Sequence, residues 1–192
     1  MSGEAERPAR DGGTGLSKKL RSLATDGKDE TIKPPANMRL RLIAIGTRMP
    51  SWVQSGFEDY ARRLPRELRL ELVEIPAPAR SGTADLARRR AAEGEKLLRA
   101  AGQARLIALD ERGASLDTAA WARALEGWMR DGGDVALAVG GPDGHAPAVL
   151  AAAQARWSLS PLTLPHALVR VIVAEQLYRA WTVLAGHPYH RA

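Results

Sequence analysis

The chain has no cysteine. That excludes disulfides, a thiol nucleophile and thiolate metal sites. Long apolar runs are missing as well. The longest stretch free of Pro and Gly in the C-terminal third, residues 167–185, is interrupted by Arg170, Glu175 and Arg179. It falls short of the roughly 20 uninterrupted apolar residues that a membrane span requires. The first residues are Gly-rich and charged, without the apolar core of a secretory leader. A cytoplasmic location and no membrane partner are therefore expected. Aromatics are few: one Phe, three Tyr and five Trp, all beyond residue 51. Lysine is scarce, and four of the five lysines (Lys18, Lys19, Lys28 and Lys33) precede residue 38.

What the chain does have is arginine. Lys and Arg total 28 against 22 Asp and Glu, for a net charge of +6. A basic surface favours an anionic partner, nucleic acid first, although a merely solvated basic surface has the same composition. A length of 192 residues with 45% hydrophobic content suffices for one core. Residues 1–37 differ in kind, with five glycines, no aromatic and no persistent period. They predict a disordered extension, leaving residues 38–192 as the folded domain.

From residue 38 the pattern alternates. Residues 39–46 (RLRLIAIG) predict a strand ending at Gly46. Ser51 is the expected cap of a helix to about residue 63, with Trp52, Val53, Phe57 and Tyr60 at helical spacing. Residues 68–75 predict a strand, 76–82 a loop holding Arg80, and 83–101 a helix stopped by Gly102. Residues 105–110 predict a strand followed by a turn at 111–115 through Gly113. A helix at 117–130, a strand at 134–139, a short helix at 147–154 and a strand at 155–159 complete the alternation before the 167–185 helix. Strands separated by helices predict an α/β fold with a mostly parallel sheet and helices on both faces. Such sheets bind ligands at the carboxyl ends of their strands. That rule selects residues 46–50, 109–113, 140–145 and 159–166.

The sequence Gly140-Gly141-Pro142-Asp143-Gly144 lies at one of these ends. Its glycines admit close backbone approach and expose N–H groups. No GK[ST] follows, so it is not a phosphate-binding P-loop, and the first strand carries no dinucleotide fingerprint. A plain tight turn is the competing reading. The loop at 159–166 is stiffened by Pro161 and Pro165 and carries Ser160 and Thr163. The two loops suit an adenosine-like ligand held by backbone hydrogen bonds, with Leu109, Leu159, Leu162 and Leu164 around its ring.

The 167–185 helix is apolar over most of its circumference, so its own fold or a partner covers it. Its three charges need partners, because unpaired buried charge costs several kcal/mol. Glu175 and Arg179 stand at i, i+4 and pair along one face. The alternatives are structural salt bridges, or a subunit interface or pocket wall where the charges meet a ligand. His187 and His190 lack a third ligand, so no metal site is expected. His145 and His166 are isolated and read as loop or capping residues. After Gly186 the tail is either a frayed end or, through Tyr189, His190 and Arg191, a device for stacking on a base and gripping phosphate. In both readings it contributes little to the core.

Three strings carry more. IAIGTRMPSWVQSGFEDYARRLP, VGGPDGHAP and LSPLTLPHALVRVIVAEQLYRAWTVLAGHPYHR closely resemble the SPOUT (α/β-knot) methyltransferases, specifically those that modify large-subunit ribosomal RNA. The resemblance spans residues 38–191. It implies a C-terminal trefoil knot, a homodimer with the knot helices at its interface, and S-adenosyl-L-methionine as cofactor. It implies methylation at N3 of a pseudouridine in 23S rRNA within the assembled ribosome. By the same resemblance, cofactor contacts fall on Leu109, Gly140, Gly141, Leu159, Ser160, Pro161, Leu162, Thr163 and Leu164. Catalytic positions fall on Glu175, Tyr189, His190 and Arg191, and substrate contacts on Arg170, His187, Tyr189 and Arg191. His190, Glu175 or water takes the N3 proton, and Arg191 or Arg170 stabilises charge on the carbonyl oxygens. The alternatives are a SPOUT enzyme acting on another RNA and a non-catalytic ribosome-binding protein.

Overall fold

In the computed structural model the described residues are 38–77 and 86–191, without the side chains of His190 and Arg191. The expected disorder of residues 1–37, the loop position of Arg80 and the first turn of the 83–101 helix lie outside them. All described residues fall within one compact unit, residues 32–192.

The elements run β1 (Met38–Ile45), α1 (Ser51–Ala61), β2 (Leu68–Ile75), α2 (Leu86–Ala101), β3 (Arg105–Ser115), α3 (Thr118–Asp131), β4 (Val135–Val139), α4 (Pro147–Ala152), β5 (Ala155–Ser158) and α5 (His166–Leu184). A single 3-10 turn, Pro188–Arg191, follows. The five strands form one sheet in the order β2-β1-β4-β3-β5, every pairing parallel. The expected α/β architecture is therefore present. β4 (VALAV) lies at the centre with all five residues buried, as a strand covered on both faces must be. Helices α1, α3 and α5 pack over one face around Phe57, Trp121, Leu125, Val173 and Leu177. Helices α2 and α4 cover the other through Leu97, Ala101 and Val149.

Local chemistry explains most boundaries. Asp117 caps α3 by accepting a hydrogen bond from the Ala120 amide at 2.7 Å, and Gly132, at φ 73°, ends the helix. Arg41 reaches from β1 to the carbonyls of Ala100 and Ala101 at 2.7 and 3.0 Å, a cation at the C-terminus of α2.

Two boundary expectations are corrected. Ser51 is the first residue of α1 and not its cap; Pro50 occupies the cap position and no side chain caps the end. The turn expected at 111–115 is a bulge in a continuing strand. Trp157 of β5 pairs with Leu109 and again with Ala114, so residues 110–113 loop out between two paired stretches of β3. A Cβ on Gly113 would lie 2.5 Å from the Trp157 backbone carbonyl carbon, so the crossing admits only glycine.

Candidate active site

At the carboxyl ends of β3, β4 and β5 lies a pocket of about 490 Å³. Its walls are the β3 bulge (Asp110, Glu111, Arg112), the turn at 140–145 and the loop after β5, with His166 and Val169 of α5 behind them. Leu109, Gly140, Gly141, Leu159, Ser160, Leu162, Thr163 and Leu164 all line it; Pro161 does not. Three of the four stretches that the strand-end rule selects thus line the pocket, and residues 46–50 do not.

Each wall is held by its own hydrogen bonds. In the turn, the Gly144 amide donates to Gly141 O at 2.9 Å, with Gly144 at φ 79°. A Cβ at Gly140 would lie 3.0 Å from the Gly144 carbonyl carbon and 3.1 Å from His145 N, so a side chain there collides with the turn itself. In the 158–164 loop, Ser158 Oγ donates to Ser160 O at 3.0 Å and Ser160 Oγ accepts from the Leu162 amide at 2.9 Å. In the bulge, Asp110 Oδ1 accepts from the Arg112 amide at 2.8 Å.

His145 is more than a loop residue. It is 3% exposed, and its Nε2 lies 2.9 Å from Leu109 O, tying the turn to the end of β3. Burial holds its pKa below the usual imidazole value, so the ring is neutral and Nε2–H donates. His166 is lowered by burial and then by Arg170. The strand-end rule covers Asp110, Glu111, Arg112 and His145, while Arg90 and Trp157 line the pocket from outside the stretches it selects. The signal available for the bulge was the position of residues 110–112 at a strand end. The tie from His145 to Leu109 O, 36 residues away, had no local signal.

Glu175 and Tyr189 are brought together, but away from this pocket. Glu175 Oε1 accepts from Arg179 Nε at 2.7 Å and from the Tyr189 hydroxyl at 3.3 Å, so the i, i+4 pair is present. Gln176 Nε2 donates to Glu175 Oε2 at 2.6 Å. The Tyr189 ring packs 4.8 Å from that of Tyr178, with the Arg179 guanidinium 5.0 Å from its centroid. Burial, then contacts with Tyr60 and Glu175, push the Tyr189 hydroxyl above the usual phenol range. The 3-10 turn is fastened by His187, whose amide donates to Thr182 O at 2.9 Å and whose Nδ1 accepts from the Tyr189 amide at 3.2 Å. Tyr189 joins the main core as a partly buried member, which corrects the expectation that the tail adds little to it. The side chains of His190 and Arg191 lie outside the described residues. Glu175 is nine residues along α5 from His166, about 13 Å along the axis at ~1.5 Å per residue. Within one chain, neither Glu175 nor Tyr189 lines the pocket.

Arg170 is placed differently from the expectation of a substrate contact. It is fully buried. Its guanidinium pairs with Glu74 and donates to Gly46 O at 2.6 Å, binding α5 to the ends of β1 and β2. Its two terminal nitrogens donate to these protein groups, and its Nε is buried without a hydrogen-bond partner among the described residues. Among the described residues no group of three or more His, Asp or Glu is arranged to hold a metal ion, and no described helix is long and apolar enough to cross a membrane.

A parallel sheet covered on both faces, with glycine and proline loops enclosing a pocket over its strand ends, defines an α/β protein built to bind a small molecule. Residues 38–190 match the family model described as "Predicted SPOUT methyltransferase", and the chain belongs to the SPOUT methyltransferase family. Among curated proteins it is similar to the ribosomal RNA large subunit methyltransferase H of Alkalilimnicola ehrlichii. The two are 57% identical over 155 residues, spanning 81% of this chain and 100% of the relative.

Proposed function

We propose that this methyltransferase uses S-adenosyl-L-methionine to methylate N3 of a pseudouridine in 23S rRNA of the assembled ribosome. One observation carries the cofactor reading: eight of the nine positions assigned to it converge on a single pocket over the strand ends. The residues suit such a group. About 490 Å³ is the size of a small-ligand site. Leu109, Leu159 and Leu164 supply apolar walls, and the 140–145 turn supplies backbone. When bound, the cofactor supplies an electrophilic methyl group on sulfur.

The chain's own residues would orient the base and take its proton. In-line displacement depends on positioning, and N3 must lose a proton as the methyl arrives. Glu175, His190 or water accepts it, and Arg191 stabilises charge on the base's carbonyls. Arg170 is left out of this step, because its guanidinium is enclosed.

The separation of the Glu175–Tyr189 cluster from the pocket supports a two-fold homodimer, in which the tail of one copy meets the pocket of the other. Exposed Trp52 and Leu168 and the half-buried apolar residues of α5 support the same reading. The resemblance implies the trefoil knot, and the composition of the chain supports a cytoplasmic location.

Two measurements test the proposal. Calorimetry with S-adenosylmethionine should detect binding to the wild-type chain. Mass spectrometry of ribosomal RNA from cells with and without the gene should find one methylated pseudouridine that depends on it. Binding to ribosomes without cofactor binding would favour the non-catalytic reading. A gene-dependent methyl group on another RNA would move the substrate assignment.

A further inference from the structure

Three charged side chains of α2 reach the glycine turn, and of these only Arg90 also lines the pocket. Arg89 Nη2 lies 3.2 Å from Asp143 Oδ2. The Arg90 guanidinium donates to the carbonyl oxygen of His145. Glu93 is 5% exposed, and its Oε2 is buried without a hydrogen-bond partner among the described residues. The three stand at i, i+1 and i+4, so one face of α2 addresses the whole turn. The contact at Gly141 is the closest. A Cβ there would lie 2.4 Å from Glu93 Oε2 and 3.0 Å from its Cδ. Gly141 is not among the glycines with positive φ. Its missing side chain therefore serves the approach of Glu93 and no special backbone conformation.

We propose that Glu93 is a positioning residue of the cofactor pocket: its carboxyl, held by α2 against the Gly141 backbone, sets the seat of the 140–145 turn and so the shape of its ligand-facing side. This rests on the reading of the pocket as the S-adenosylmethionine site. The surrounding charges give the contact a direction. Burial and then Asp143 raise the Glu93 carboxyl above the usual range, while Arg89 and Lys96 oppose them. Arg89 and Lys96 act on it from its own helix, and Asp143 from the turn. Ionising Glu93 puts a second negative charge beside Asp143, on an oxygen with no donor, and the turn must shift to relieve it. Cofactor affinity therefore falls as pH rises through the Glu93 transition. His145 and His166, both lowered, charge only towards acid and act in the opposite direction.

Calorimetry with S-adenosylmethionine on the full chain, upward from about pH 4, near the ordinary carboxyl value, tests this. Glu93→Gln, equal in shape and without charge, should keep the acid-side affinity and lose the decline with rising pH. Glu93→Ala removes the support, and Kd should rise about tenfold, the equivalent of ~1.4 kcal/mol. The loss should appear in KM for the cofactor and not in kcat. Gly141→Ala should weaken binding in the wild-type chain, where its methyl meets the carboxyl. In the Glu93→Ala background, where that space is vacant, the same methyl should cost far less. If Glu93→Ala does not fold, Glu93→Gln and Gly141→Ala still decide the matter. A wild-type pH profile in Glu93→Gln, or equal losses from Gly141→Ala in both backgrounds, overturns the positioning role. A wild-type chain that binds no cofactor at any pH overturns the pocket reading itself, and this role with it.

Discussion

Arg170 has no exposed atom to offer a ligand, and that sets its contribution. Its partners are Glu74 and the carbonyls of Ile45 and Gly46. Arg170→Met keeps most of the volume, strips Glu74 of its counter-charge and leaves two carbonyls without a donor. Glu74 is 34% exposed in its side chain and regains some water. We expect a loss of about 2–4 kcal/mol in chemical denaturation, below the full cost of an unpaired buried charge. Arg170→Lys should recover little, since one ammonium cannot span the same acceptors. None of this was legible locally, because the partners are 96 to 125 residues away. Glu175–Arg179 was legible, because the helix repeat alone brings that pair together. His145 adds a pH effect. Its folded pKa lies below the unfolded value of 6.5. Its stabilising contribution is therefore complete above that pH and is lost as pH falls towards the folded value. Acid unfolding of His145→Asn should begin at lower pH than in the wild type, and an unchanged acid limb would contradict this.

At the scale of elements, the bulge in β3 is the sharpest departure from expectation. Gly113 reads as a turn glycine in sequence, yet it marks where β3 crosses the backbone of β5. Gly113→Ala puts a methyl within 2.5–2.7 Å of Arg156 and Trp157 backbone atoms. Overpacking of this kind costs about 1–3 kcal/mol. The displaced bulge carries Asp110 and Arg112 into the pocket, so cofactor affinity should fall with stability, as calorimetry and thermal melts would register together. The tail was misjudged for a related reason. A segment after Gly186 has no period of its own, so its docking on Tyr178 and Arg179 depends on tertiary contacts alone. Truncation after His187 deletes the Tyr189 ring from the core and should lower stability by about 1–2 kcal/mol. An unchanged melting temperature would return the tail to a frayed end. The loops at 140–145 and 158–164 were legible as pocket walls because each follows a strand.

At the scale of the whole molecule, the alternation of strands and helices made the α/β class plain from residue 38 onwards. The order β2-β1-β4-β3-β5 was not readable, because nothing in VALAV states that it sits between β1 and β3. Assembly is the remaining question at this scale. Light scattering at micromolar concentration should give twice the chain mass if a second copy covers α5, and a monomeric mass would leave the Glu175–Tyr189 cluster without a pocket to serve. The Arg170 clamp also bears on how the protein comes to be made. β1 and β2 are made before the guanidinium that secures their ends, which follows Glu74 by 96 residues. β4, which fills the middle of the sheet, arrives about 90 residues after β1. The nascent chain therefore holds two finished strands whose inner edge and charged end stay open until β4 and α5 have been made. It remains prone to association through that period.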